Sequence, residues 1–92
     1  MERVVNGIKY DTKTADFLGM WDNGLEREEF YYCCVKLYKQ TEGYFLFRSE
    51  PYCRTSTGRS QRRESIRPID SDEARNWARI NLPYPEYSRI FG

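Results

Sequence analysis

The feature that most constrains the fold is a pair of strand-like segments in the middle of the chain, Phe30–Gln40 and Tyr44–Glu50. They are rich in aromatic and apolar residues and are joined by the short segment Thr41-Glu42-Gly43. A short glycine-containing connection between two such segments is typical of a β-hairpin. The sequence therefore predicts an antiparallel sheet at the centre of the molecule.

Alternation along these strands predicts one apolar face and one tyrosine-rich face, because successive side chains of a strand point to opposite sides. In the first strand, one face carries Tyr31, Cys33, Val35 and Leu37, and the other carries Phe30, Tyr32, Cys34, Lys36 and Tyr38. In the second strand, one face carries Phe45 and Phe47, and the other carries Tyr44, Leu46 and Arg48. We expect a half-solvated face that presents Tyr32, Tyr38 and Arg48 to a partner, since Tyr and Arg are enriched at binding hot spots. Shielding of a thin sheet, a homodimer and base stacking are the alternatives for these tyrosines.

Further strands are expected on both sides of this hairpin. Asn6-Gly7 between β-forming residues predicts a tight N-terminal hairpin over Val4–Tyr10, and Asp16–Trp21 is the next expected strand. Pro51–Arg63 lacks periodicity and is rich in Ser, Thr, Gly and Arg, which favours a loop. Glu64–Ile69 is expected to return as a short edge strand with Ile66 pointing inward and Pro68 at the edge.

The sequence near the end of the chain predicts a helix with clear signals for its start and its end. Asp70 or Ser71 is expected to cap it, and Glu73 completes a capping-box pattern. Its apolar stripe is formed by Ala74, Trp77, Ala78 and Leu82. Pro83 ends the helix, and a second short helix over Pro85–Phe91 is anchored by Tyr87, Ile90 and Phe91. Residues 1–92 are thus predicted to form a single α+β domain: a small antiparallel sheet of four to five strands with a C-terminal helix or helix pair packed on one face.

An arginine-rich segment gives the chain its sharpest local charge. The candidate partner-binding residues in it are Arg54, Arg59, Arg62, Arg63 and Arg67, with Glu64 as the single acid among them. Guanidinium groups suit bidentate contact with phosphate or carboxylate. A clamp on nucleic acid or on an acidic protein groove, and a solvated loop whose arginines pair with surface acids, are both open. The sequence pI of about 7.7 favours a protein partner, or nucleic acid already held by one.

The composition excludes several kinds of chemistry. Histidine is absent, so Ser-His-Asp and Cys-His catalysis are excluded, and no phosphate-binding or dinucleotide loop is present. We expect no catalytic, cofactor-binding or metal-ligating residues. Cys33, Cys34 and Cys53 are expected to be reduced thiols. Apolar runs are far shorter than the roughly 20 residues of a membrane span, and no signal-peptide core follows Met1, so we expect no membrane association and a cytoplasmic location.

Several short segments resemble a family of small proteins carried by phages, plasmids and integrative elements of Gram-positive bacteria. They are Asn6-Gly7-Ile8-Lys9-Tyr10-Asp11-Thr12, Thr14-Ala15, Leu37-Tyr38-Lys39, Gly43-Tyr44-Phe45-Leu46, Glu73-Ala74, Trp77-Ala78 and Glu86-Tyr87-Ser88-Arg89-Ile90-Phe91-Gly92. The resemblance implies a genomic setting and a fold, and it supplies no catalytic residues. Small proteins of such elements often counter host defences, anti-CRISPR inhibitors among them. The chain departs from the family at Glu50–Arg63, where an arginine-rich stretch replaces a glycine-rich one.

Two functions follow as expectations from residues and resemblance together. The first is a non-enzymatic interaction module of a mobile element that binds and inhibits a larger host protein, such as a CRISPR-type nucleoprotein nuclease. The second is a small nucleic-acid-binding regulator that uses the arginine-rich 54–67 segment.

Overall fold

A computed structural model describes residues 1–53 and 60–92 of the chain. The strands are β1 (Glu2–Val5), β2 (Ile8–Asp11), β3 (Asp16–Asp22), β4 (Cys34–Gln40), β5 (Gly43–Cys53) and β6 (Ser60–Ile69), and the helices are α1 (Ser71–Asn81) and α2 (Tyr84–Phe91). β3 to β6 form a four-stranded antiparallel sheet in chain order, and β1 and β2 form a separate hairpin. The predicted α+β class, with a small antiparallel sheet and a C-terminal helix pair, is confirmed.

The N-terminal hairpin turns at Asn6-Gly7 as the sequence predicts. Both residues adopt positive φ, 52° at Asn6 and 80° at Gly7, which is the conformation a type I′ turn requires. Arg3 then attaches the hairpin to the larger sheet, because its Nη1 donates a hydrogen bond of 2.7 Å to the carbonyl oxygen of Ile66 in β6.

The two helices cover part of one side of the four-stranded sheet, called the helix face below. Leu37 of β4 and Ile69 of β6 pack there with Ala74, Ala78 and Leu82. Trp77, Tyr87, Ile90 and Phe91 pack around this cluster. The apolar stripe of α1 and the anchoring residues of α2 therefore lie against the sheet as predicted.

Gly19 brings β3 close to the end of α1. A Cβ atom on Gly19 would lie 2.8 Å from Cδ1 of Leu82, closer than real contacts of this kind. Absence of a side chain at this position thus allows Leu82 to lie against β3.

The opposite side, called the hairpin face, is partly covered by β1 and β2. Phe45 is fully buried there, with the Tyr10 ring edge-on at 5.6 Å and the Tyr38 ring stacked at 5.1 Å between centroids. Phe47 and Ile66 complete the cluster. The inward orientation predicted for Ile66 is confirmed, since its exposure is 0%.

The first helix begins where its capping pattern places it. The Asp70 carboxylate accepts a hydrogen bond of 2.7 Å from the backbone N–H of Glu73, which satisfies a donor that the helix itself leaves without a partner. Asp72 and Glu73 add negative charge in the first turn, where the helix dipole favours it. Pro83 separates the two helices, and α2 begins one residue earlier than predicted.

Two predicted boundaries are wrong. The first central strand begins at Cys34 instead of Phe30, because the preceding residues form turns in which the Tyr32 N–H bonds to the Glu29 carbonyl. Pro51–Arg63 is not a loop throughout: Pro51–Cys53 extend β5 and Ser60–Arg63 begin β6, with Pro51 paired to Arg62. Cross-strand pairing overrides the irregular local pattern at both ends of this stretch.

Candidate functional site

The helices leave one end of the helix face uncovered. The register places Trp21, Val35, Arg48 and Ser65 side by side across β3 to β6, with Glu50 and Arg63 in the row beyond them. We call these six residues the open half. Its neighbouring row contains Gly19, Leu37 and Leu46, which lie under the helices. An 11-residue helix is about 16 Å long whereas an 11-residue strand spans roughly 36 Å, so α1 does not cover the full length of β5.

The open half combines an indole, a branched aliphatic side chain and two guanidinium groups. Trp21 is 37% exposed and Val35 is partly exposed, while Arg48 and Arg63 are exposed. Arg48 Nε lies 3.1 Å from Glu50 Oε2, an ion pair at the surface that contributes little to stability. The surface therefore offers apolar area beside positive charge with a geometry held by the sheet.

The first helix borders the open half with a further apolar surface. Ile80 is 68% exposed, and a shallow cleft of about 210 Å³ runs between α1 and the sheet, with Trp77 and Leu46 among its lining residues. Arg67 lines the same cleft, and its Nη2 lies 3.6 Å from Glu73 Oε2 of α1. A partner on the open half would thus meet the side of α1 as well.

Exposed aromatic residues also lie near the end of β3. The Asn23 side chain donates a hydrogen bond of 2.8 Å to the Tyr31 carbonyl and accepts one of 3.2 Å from the Cys33 N–H. Phe30 and Tyr31 are 37% and 69% exposed, and their rings meet edge to face at 4.9 Å. Asn23 therefore holds this aromatic pair at the end of the sheet where Trp21 lies.

The hairpin face carries a cleft of about 560 Å³ between the sheet and the segment before β4. Met20, Lys36 and Phe47 line it from the sheet, and Leu25 and Tyr32 line it from the preceding segment. Its acidic side chains, Asp22, Glu26 and Glu64, equal in number its basic ones, Arg27, Lys36 and Arg62. This balance favours neither an anionic nor a cationic ligand.

Two tyrosines of this face are unsuited to proton transfer near neutral pH. Burial raises the pKa of the Tyr32 phenol, and the adjacent Cys34 thiol raises it further. Burial also raises the pKa of Tyr38, with a smaller contribution from Cys34. Both phenols are therefore neutral at physiological pH and serve as packing and hydrogen-bonding groups.

Arg62 connects neighbouring segments of the chain on the hairpin face. Its Nη2 donates a hydrogen bond of 2.6 Å to the Tyr32 carbonyl, and its Nε donates one of 3.1 Å to Ser49 Oγ. The guanidinium carbon also lies 5.6 Å from the centre of the Tyr32 ring. Three contacts from one side chain hold the segment before β4 against β5 and β6.

The predicted face of Tyr32, Tyr38 and Arg48 does not exist as one surface. Tyr32 and Tyr38 are buried at 7% and 9% exposure on the hairpin face, and Arg48 pairs with Val35 on the helix face. Lys36 pairs with Phe47, which places Lys36 and Arg48 on opposite sides. The prediction is wrong because alternation within each strand does not give the register between strands.

The predicted arginine group is likewise divided by the fold. Arg62 and Arg63 are adjacent in β6 and therefore point to opposite faces of the sheet. Arg62 contacts Tyr32, and Arg67 pairs with Glu73, so both of these side chains make contacts within the molecule. Arg63 is exposed on the helix face, and Arg54 and Arg59 lie outside the described residues.

Sequence reasoning did not single out Trp21 and Val35 as surface residues. Val35 lies on the face that alternation predicts to be apolar, and Trp21 was predicted only as the last residue of a strand. The exposure of Val35 can be predicted only when the strand pattern is combined with the length of the turn. The two-residue connection between Gln40 and Gly43 fixes the register of β4 and β5, and this register sets Val35 opposite Arg48. An apolar residue paired with arginine indicates an exposed row.

Residues 1–53 and 60–92 contain neither a metal-holding cluster nor a helix that could span a membrane. No group of three or more Cys, Asp or Glu side chains there is arranged to hold a metal ion. Neither α1 nor α2 has the length and apolar composition of a bilayer-spanning helix. Cys34 is buried and Cys33 is partly exposed, both as free thiols.

Comparison with protein-family models, with curated proteins and with solved structures finds no match to this chain. The resemblance to proteins of mobile elements therefore stays a prediction.

Proposed function

We propose that this protein is a non-enzymatic interaction module that binds a larger protein through the open half of the helix face. The observation that carries the proposal is the uncovered row of Trp21, Val35 and Arg48 on a rigid sheet. Trp and Arg are the residues most enriched at the energetic centres of protein interfaces. A sheet holds their geometry before binding, which lowers the entropy lost on association.

The charge of this surface suits an acidic partner surface. Arg48 and Arg63 accompany a single acid, Glu50, and β6 adds Arg67, which pairs with Glu73 of α1. A carboxylate of the partner that displaces Glu50 from Arg48 gains a charge-assisted hydrogen bond in a drier environment.

We infer further that the partner is a host protein and that binding inhibits it in the cytoplasm, with a nuclease of a defence system as the leading candidate. This part rests on the resemblance to proteins of phages and other mobile elements. A near-neutral pI accords with a protein partner, or with a nucleoprotein.

Direct nucleic-acid binding has less support among the described residues. A phosphate clamp built from Arg62 and Arg63 would require two neighbouring strand residues to act on one side of the sheet. The contacts of Arg62 with Tyr32 and Ser49 would also have to break. The test below distinguishes this function from protein binding.

The test is affinity capture from lysate of the native host with the wild type and four variants, with and without nuclease treatment. Trp21→Ala and Arg48→Glu alter the open half. Tyr84→Ala and Lys13→Glu are matched controls, because Tyr84 is an aromatic residue of α2 with 76% exposure and Lys13 lies beyond the opposite end of β3.

We expect either open-half variant to recover at least about tenfold less of the partner, as a hot-spot loss above roughly 1.4 kcal/mol implies. Both controls should recover it like the wild type, before and after nuclease treatment. Equal recovery by all five proteins would contradict the proposed surface, and recovery lost on nuclease treatment would favour nucleic-acid binding.

A further inference from the structure

The two edges of the four-stranded sheet differ in how they are protected. The outer edge of β6 has Pro68, which lacks an N–H, and the Ile66 carbonyl accepts a hydrogen bond from Arg3. The same strand also contains the charged residues Arg62, Arg63, Glu64 and Arg67. These are the devices by which proteins prevent an edge strand from pairing with another chain.

The outer edge of β3 has few such devices. β3 is hydrogen-bonded to β4 on one side, and within residues 1–53 and 60–92 no hydrogen bond is made to its backbone from the other side. It contains no Pro, Lys or Arg. A bulge between Phe17 and Gly19 interrupts the pairing once, and Gly19–Asp22 then continue in regular register.

Apolar side chains flank this edge on both faces of the sheet. Phe17 is 55% exposed and Met20 is 40% exposed on the hairpin face, while Trp21 is 37% exposed on the helix face. Unpaired backbone groups between exposed apolar side chains are the features that strand-adding interfaces use: the backbone supplies affinity, and the alternating side chains supply specificity.

We propose that the β3 edge binds an extended segment of a protein partner, which adds to the sheet as a fifth strand and carries apolar residues flanked by Lys or Arg. This deepens the proposed function, on which it rests, by adding a basic extended segment at the β3 edge to the acidic partner surface expected opposite Arg48 and Arg63. The charge follows from Asp16 and Asp22 at the two ends of β3. Neither carboxylate has an ion-pair partner in the described part of the chain.

The same two carboxylates disfavour a second copy of this chain as the occupant. An antiparallel pairing of β3 with its own copy that uses all seven residues is centred on Gly19. That register sets Asp16 opposite Asp22 twice, and like charges directly opposite each other destabilise a strand pair. A segment with a basic residue at each end meets the same positions with opposite charge.

The test uses short peptides and the intact protein, observed through its backbone amide NMR resonances. The probe is acetyl-Lys-Val-Thr-Val-Thr-Val-Lys-amide, as long as β3. One matched peptide has Glu in place of both Lys. Two others are N-methylated at alternate residues, one in each phase, which removes the N–H groups from one edge or the other of the peptide.

We expect the Lys-flanked peptide to shift the amide resonances of β3 and to leave those of β6 unchanged. It should bind on the order of tenfold more tightly than the Glu-flanked peptide. This preference should disappear in the double variant Asp16→Asn, Asp22→Asn. One of the two N-methylated peptides should lose binding, because only one peptide edge pairs with β3.

Three results would overturn the proposal: no β3 shift at millimolar peptide, equal affinity for the Lys- and Glu-flanked peptides, or undiminished binding of both N-methylated peptides. The capture experiment compares substitutions on the open half and does not use these peptides. A failure of strand addition and a failure of the proposed function are therefore separately visible.

Discussion

The covered half and the open half of the helix face belong to the same strands and differ only in what lies above them. In the covered half, Leu37 has 0% exposure beneath α1. Two residues earlier on the same face of the same strand, Val35 is partly exposed and lies beside Arg48. Alternation gives both positions the same side of the sheet, so the extent of the helices decides which one enters the core.

This difference separates stability from binding within one surface. Side chains under the helices contribute by removing apolar area from water, at about 25 cal/mol per Å². Side chains of the open half keep much of their area exposed and gain burial only when a partner covers them. We therefore expect substitutions in the covered half to change mainly the free energy of unfolding, and substitutions in the open half to change mainly the affinity.

The largest expected effect is a loss of stability in the covered half, and it is tested by truncating one aliphatic residue in each half. Leu37→Ala should lower the free energy of unfolding by about 2–5 kcal/mol, because it removes buried methyl groups and leaves a cavity. Val35→Ala should lower it by less than about 1 kcal/mol, as for partly exposed strand positions. Urea unfolding followed by circular dichroism measures both. A loss for Val35→Ala as large as that for Leu37→Ala would mean that the open half is part of the core.

A smaller effect is expected where β3 meets the end of α1. Gly19→Ala places a methyl group 2.8 Å from Leu82 Cδ1 and should cost about 1–2 kcal/mol of unfolding free energy. In a Leu82→Ala background the same substitution should cost close to nothing, because the clashing atom is gone. The double-mutant cycle isolates this contact from the intrinsic strand preferences of Gly and Ala. Equal costs in both backgrounds would place the strain elsewhere.

Much of the fold was predictable from the sequence because the decisive signals are local. Asn6-Gly7 specifies its turn through positive φ at two adjacent residues, and Asp70 with Glu73 specifies the start of α1 through a single hydrogen bond. The stripe of Ala74, Ala78 and Leu82 predicts which side of the helix is buried. Each of these features depends on residues within a few positions of one another.

The candidate site was not predictable in the same way because it depends on the register between strands and on contacts between residues far apart in the chain. The strand pattern places Tyr38 and Arg48 on a definite side of their own strands, and only the pairing of β4 with β5 shows that the two sides differ. The structural role of Arg62 depends on Tyr32, thirty residues earlier in the chain. Such contacts between distant segments leave no periodic signal in the sequence.

The smallest expected effect concerns the start of the covering helix. Asp70→Ala removes the acceptor for the Glu73 N–H, bonded at 2.7 Å, and should lower the free energy of unfolding by about 1 kcal/mol. The side chain of Ser71, one residue later, makes no comparable contact among the described residues. Ser71→Ala should therefore change the free energy of unfolding by less than about 0.5 kcal/mol. Asp70 lies at the far end of β6 from Arg63, so capture of a partner by the folded Asp70→Ala protein should match the wild type. A loss of capture at full folding would show that the first turn of α1 takes part in binding, and the proposed surface would then have to be extended to the start of the helix.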